Sequence, residues 1–265
     1  MPTRHPDALL ARLRPAQHDG VRRIDLAHLR WMPPSAMVAT AAQAHRAHLD
    51  GTAFALRGPT DSEPAHYAAR MRLGRVLSDL GATHDLPTAR AHDREEELIE
   101  VVRIDSADTV DRLARLVYRK VLPRGGKDLA TALHRSVGEV GENVMDHSGT
   151  IGYLAAQTLP RRRELLIAIA DAGVGMLATL THRGVLSDEA AIALATQEQV
   201  SRYDEPDRGR GLPSALHLIG GQSGSLYIAS GTAAIRHFPT TRRYLRADDA
   251  FDGTIVEARI PLADG

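Results

Sequence analysis

IAIADAGVGM (167–176) is the stretch that decides the fold. Its apolar run, Ile167 to Ala170, reads as a buried strand. The strand ends on Asp171, and Gly173 and Gly175 then turn the chain tightly. A carboxylate at a strand end can accept a hydrogen bond from an exocyclic amine, and glycines let backbone approach a flat base. Taken alone, the pattern fits any strand followed by a DxGxG turn equally well.

Upstream, ELLIAIAD (164–171) and YLAAQTL (153–159) form a hairpin-like pair around PRRR. A helix over about 128–146 precedes them and carries SVGEVGENVMDHSG (136–149). At ~100° per residue, Leu129, Leu133, Val137, Val140 and Val144 share one face. Glu139 and Asn143 lie side by side on one edge of that stripe, and Glu142 points further round, toward solvent. An amide oxygen suits Mg²⁺, a hard ion that takes oxygen ligands and keeps its waters. A carboxylate beside it can activate a water. The plainer alternative is a partly exposed helix with ordinary polar residues. Gly138 and Gly141 weigh slightly against it, since each costs ~1 kcal/mol in a helix interior and so suggests close approach by something.

Downstream, residues 176–208 hold no strong strand and much polar sequence. DRGRGLPSALHLIGG (207–221) follows, where Gly209 and Gly211 open a helix at Leu212. A Gly-rich loop feeding a helix N-terminus presents free N–H groups to phosphate. Arg208 and Arg210 add local positive charge, although a flexible surface loop would read the same way. SLYIASG, TAAIRHF, RRYLRA and GTIVEARIPL supply the last strands. ELIEVVRI (97–104) is a strand, SADTVDRLARLVYRKVL (106–122) is an amphipathic helix with a Ser cap, and RGGK (124–127) breaks it. Residues 97–265 therefore form an α+β domain with helices on one side of a mixed sheet.

The N-terminal residues, 1–90, have a different texture. RIDLAHLRWM (23–32) reads as a strand and PPS (33–35) as a turn, with Ser35 able to cap the next helix. AMVATAAQAHRAHLDG (36–51) has helical spacing and ends in Gly51, a C-terminal glycine signal. TAFALRG (52–58) is a second strand, and another helix runs from Pro64 to Gly81. Strands alternating with helices imply parallel pairing, hence an α/β domain. The polar stretch 82–96 is placed as the linker.

Composition narrows the classes. The chain has 265 residues, 43% hydrophobic and only 4% aromatic, so its core rests on Leu, Ala, Val and Ile. Formal net charge is zero, which leaves no global field to attract nucleic acid or anionic membrane. Absence of cysteine excludes disulfides, thiolate zinc sites and a Cys nucleophile. No apolar signal core or ~18-residue apolar run is present, so a cytoplasmic protein is expected.

In their order and spacing, the motifs resemble those of the GHKL ATPase superfamily, the Bergerat fold of DNA gyrase, MutL and histidine kinases. ExxxN looks like the N box, DAGVG the first glycine box, RGRGL the second, and GTIVEARIPL the closing strand. The resemblance spans about residues 125–263 and implies ATP and Mg²⁺ as ligands. By that resemblance Glu139 would be the general base, and Asn143 would hold Mg²⁺ against the phosphates. Asp171 would bind the adenine amine over Gly173 and Gly175, with Thr254 assisting. Residues 177–208 would be the ATP lid. Arg208, Gly209, Arg210, Gly211 and Leu212 would lie at the triphosphate, and the lid's lack of lysine departs from relatives that use one.

The N-terminal stretch IDLAHLRWMPPSAMVATAAQAHRAHLDG resembles the strand–turn–helix of STAS domains, and HYAARMRL (66–73) a helix of STAS-like domains fused to GHKL modules. Phosphorylated STAS domains carry Asp-Ser at the helix start. Here Pro33-Pro34-Ser35 stands there, so a structural STAS-like domain is expected. The resemblance thus implies an ATP-dependent regulator, either a GHKL ATPase or an anti-sigma-factor-type serine/threonine kinase, acting on a protein partner. The alternative is a non-catalytic STAS–GHKL module that uses nucleotide only as a structural or switching ligand. Relatives often form homodimers, but no heptad seam is present. An autophosphorylating histidine kinase is disfavoured, because no paired-helix phosphoacceptor region precedes ExxxN.

Overall fold

A computed structural model describes residues 5–6, 8–13, 15–88, 98–147, 151–197, 212, 216–217, 219, 221 and 223–262. The N-terminal half contains β1 (His5–Pro6), α1 (Ala8–Arg12), β2 (Ala16–His18), β3 (Val21–Asp25), α2 (Pro34–Leu49), β4 (Ala53–Arg57), α3 (Ser62–Arg70), α4 (Leu73–Asp79) and β5 (Thr83–His84). The C-terminal half contains β6 (Leu98–Ile104), α5 (Ala107–His147), β7 (Gly152–Leu159), β8 (Glu164–Asp171), α6 (Gly175–Leu180), α7 (Asp188–Ala195), β9 (Ser225–His237) and β10 (Arg242–Pro261). The fold is mixed α/β. A four-stranded sheet runs β2-β3-β4-β5, with β3, β4 and β5 parallel and β2 antiparallel. A six-stranded sheet runs β1-β10-β8-β7-β6, with β9 also on β10. It is antiparallel except where β1 joins β10.

Side-chain alternation gives the larger sheet two apolar faces. Ile167 and Ile169 of β8 and Leu154 of β7 pack with Leu129, Leu133 and Val137 of α5. Ala168 and Ala170, Ala155 of β7 and Ala229 of β9 pack instead with α2. Every residue of α2 from Pro34 to His45 is buried, because the helix lies between the two sheets, touching β4 on one side and β7, β8 and β10 on the other. AMVATAAQAHRA has no broad polar face to give to water, as a fully enclosed helix requires. Its few polar groups are pinned across the junction. Ser35 Oγ donates to Glu257 Oε2 at 2.5 Å, and His45 Nδ1 lies 3.1 Å from the Tyr153 hydroxyl. Burial, helped by the nearby Arg103 charge, holds His45 below its usual pKa.

Several expected boundaries shift. The strand expected over 23–32 is β3, which stops at Asp25 because its carboxylate accepts from Ala27 N at 2.9 Å and turns the chain. Ser35 is not the cap of α2. Pro33 holds the N-cap without a side-chain bond, and the Ser35 hydroxyl is turned to Glu257. The helix expected over 64–81 is two helices, parted where Arg72 takes a φ of 62°. Residues 82–88 are not linker: β5 extends the small sheet, Asp85 accepts from Gly58 N, and Leu86 joins the core. RGGK does interrupt α5, at Gly126, whose φ and ψ of 74° and 174° are not helical. The four last strands are two long ones, β9 and β10, with pairing irregularities between Arg246 and Phe251 and between Phe251 and Thr254. No helix among the described residues is long and apolar enough to cross a membrane.

Candidate functional site

Asp171 ends β8 opposite Thr254 of β10 on one side and Gly152 of β7 on the other. It alternates with Ala170 and so faces α5, on the side of Ile167 and Ile169. The carboxyl group is buried and held by backbone: Gly173 N donates to Oδ1 at 2.8 Å, and the Thr254 N–H also bonds to it. Burial outweighs those two hydrogen bonds and pushes Asp171 up to about 6. Such a carboxyl is a functional-site candidate, because burying its charge works against the fold.

Two glycines make this geometry attainable. Gly253 has a φ of 102°, and a Cβ there would sit 2.1 Å from Asp171 O. The close approach places Thr254 N–H on the Asp171 carboxyl. Gly152 lies beside Asp171, and a Cβ on it would meet Val144 Cγ1 at 2.6 Å. The end of α5 therefore rests directly over the strand pair that carries Asp171. Asn143 precedes Val144, and Glu139 lies one turn earlier; both are half-buried, at the rim of the face formed by Leu129, Leu133, Val137, Val140 and Val144. Glu142 is exposed, as expected. Gly141 is explained by packing, since a Cβ there would meet Val110 Cγ1 at 2.8 Å. Gly138 faces open space.

Gly175, with a φ of 75°, starts α6, and Met176 N donates to Ser230 Oγ at 2.9 Å. Residues 177–197 of the expected lid are folded as α6 and α7 around Leu180, Val185 and Ala191. Asp188 anchors α7 to β9 by accepting from Thr232 N at 2.8 Å and Thr232 Oγ1 at 2.9 Å. Arg208, Gly209, Arg210 and Gly211 lie outside the described residues. Leu212 is buried in the core under α5, so its side chain is a packing group.

Sequence reasoning missed Gly152 and Ser230 as parts of this arrangement. Neither stands in a motif; only the strand register reveals Gly152, and only tertiary contact reveals Ser230. A cleft of about 690 Å³ lies at the junction of the halves, lined by Gly173, Val174, Gly175, Asp252, Arg22 and Arg46 among others. Its two arginines face two carboxylates: Asp50 lies 3.2 Å from Arg22 and 3.1 Å from Arg46, and Asp252 lies 3.9 Å from Arg22. Among the described residues no three His, Cys, Asp or Glu side chains group to hold a metal by themselves. No protein-family model matches the chain, and no curated protein matches it.

Proposed function

We propose that the chain is an ATP- and Mg²⁺-binding regulatory protein of the GHKL type, with a STAS-like N-terminal half that acts as a docked structural module. The observation that carries this reading is the Asp171 carboxyl, buried at a strand end, fixed by Gly173 and Thr254 N–H groups, and facing the helix that bears Glu139 and Asn143. An ionised carboxyl there accepts a hydrogen bond from the adenine amine. Asn143 supplies one amide oxygen to Mg²⁺, which suits an ion that keeps waters and binds through phosphates. The ion, when bound, neutralises phosphate charge. Glu139 accepts the proton of the attacking water or protein hydroxyl. In this reading the phosphates rest on the 208–212 segment. The N-terminal assignment draws support from Ser35, which is buried against Glu257 and unsuited to phosphorylation while α2 is docked.

Calorimetric titration with a nonhydrolysable ATP analogue and Mg²⁺ tests the reading. Wild type binds, and Asp171→Asn loses binding while keeping its melting transition. A wild type that binds no nucleotide, or an Asp171→Asn protein that binds equally well, overturns it. Turnover then separates enzyme from switch: Glu139→Ala binds nucleotide but loses phosphoryl transfer if the chain is an ATPase or kinase.

A further inference from the structure

The backbone that delivers Thr254 to Asp171 leaves the regular ladder just before it arrives. Pairing of β10 with β9 is irregular on both sides of Phe251, so strand hydrogen bonds alone do not fix residues 252–253. Side chains from two separate elements do so instead. Gln43 of α2, fully buried, donates from Nε2 to Asp252 O at 2.7 Å. Ser230 of β9, also buried, donates from Oγ to Gly253 O at 2.9 Å. The same Ser230 hydroxyl accepts from Met176 N, immediately after Gly175. Arg22 adds a looser tie, with Nη1 3.9 Å from Asp252 Oδ2.

Two consecutive carbonyls are thus gripped, Asp252 from α2 and Gly253 from β9. The second belongs to the same peptide unit as the Thr254 N–H that bonds to Asp171, and the first lies one unit ahead of it. We infer that Gln43 and Ser230 are positioning residues for the Asp171 site, and that through Gln43 the docking of α2 sets ligand affinity at that site. Any buried glutamine needs a partner; what distinguishes Gln43 is that its partner is a carbonyl 209 positions away, on the irregular segment of β10 next to the site. Coupling of this kind is reciprocal: ligand at Asp171 also tightens α2 against the larger sheet. The ligand side of the inference rests on the nucleotide reading above, whereas the clamp itself does not.

The test uses full-length Gln43→Met, which keeps an unbranched side chain of similar volume without the donor, together with Ser230→Ala and the double variant. Each single variant binds the Mg²⁺-loaded nonhydrolysable ATP analogue roughly fivefold more weakly, the worth of one lost hydrogen bond. The double variant binds little worse than either single, because both act on the same two peptide units. In ligand-free protein, the Gly173 and Thr254 amides exchange with deuterium faster than in wild type, while amides of β6 and β7 do not. A general loss of stability would instead speed exchange throughout. Single variants that match wild type in affinity and in protection of these two amides overturn the inference, as does a double variant whose losses multiply. If wild type itself binds no analogue, the nucleotide reading fails, and the exchange rates alone decide: faster exchange at Gly173 and Thr254 supports the clamp, and unchanged exchange overturns it.

Discussion

Lowering the pH should empty the Asp171 site without unfolding the protein. The carboxyl is pushed up to about 6 by burial. An ionised carboxylate is a much stronger acceptor for an amine than the neutral acid, whose O–H would also face the amine, so affinity follows the ionised fraction. For a group titrating near 6, about 97% is ionised at about pH 7.5 and about 9% at about pH 5, a tenfold loss of affinity. Adenosine is the suitable probe, because it lacks phosphates that would titrate in the same range. Stability moves the opposite way. In the folded state the group holds its proton up to about 6, whereas unfolded it releases it near 3.8. Between those values the folded state binds more protons, so this group's stabilisation is full below about pH 3.8 and is lost as pH rises through about 6, roughly 3 kcal/mol in all. Calorimetric titration with adenosine and thermal melts across that range measure the two effects separately. Asp171→Asn should abolish both slopes. A wild type whose adenosine affinity stays flat down to about pH 5, or an Asp171→Asn protein that retains the wild-type slope, would falsify the assignment of Asp171 as the acceptor.

Other expectations follow from contacts already described. Ser35→Ala leaves the buried Glu257 carboxyl without its 2.5 Å donor and should cost about 2 kcal/mol, or about 5 °C in Tm, read by calorimetry; an unchanged Tm would mean that this bond contributes nothing. Gly253→Ala places a Cβ 2.1 Å from Asp171 O at a φ of 102°, so β8 and β10 must part, with a loss of about 3 kcal/mol or more in denaturant melts. Trp31, the sole tryptophan, sits in the N-terminal half. Its fluorescence should change at the same denaturant concentration as far-UV circular dichroism, since the halves share a core; two separated transitions would contradict the shared core.

The parts of the fold legible in the sequence are those governed by local rules. ELLIAIAD and YLAAQTL pair as a hairpin because apolar runs flank a turn-forming PRRR, and Arg163 indeed takes a φ of 52° there. The stripe from Leu129 to Val144 is buried because helical periodicity alone specifies it. What stayed hidden depends on partners far away in the chain. Nothing local distinguishes Ser35 as an N-cap from Ser35 as the donor to a carboxyl 222 positions later. Thr83 and His84 look polar and linker-like, yet they pair beside Ala55 and Leu56 because that sheet edge is open to them. Gly141 suggested a ligand, but its close neighbour is Val110, on the segment of α5 that precedes the break at Gly126. At the site, Asp171 and Thr254 were marked by motif, whereas the clamp through Gln43 and Ser230 required the β10 irregularity to be seen.

That clamp also bears on how the two halves relate. Texture divides the sequence near residue 90, yet the physical layers run otherwise: small sheet, α2, large sheet, α5. The face of the large sheet toward α2 carries Tyr153, Tyr227, Phe251 and Ile255 together with a row of alanines, all buried. Stripped of α2, that face would be an apolar patch far larger than soluble chains normally leave in water. Alanines on both partners let helix and sheet approach closely, and close-packed surfaces transmit displacement rather than absorb it. The tie from Gln43 to Asp252 lies inside this packed layer, two residues from Thr254. A partner that pried α2 from the sheet would therefore release the backbone beside Asp171 as well. Such a displacement needs no long relay to reach Asp171, because α2 and the Asp171 carboxyl both bond to the same stretch of β10.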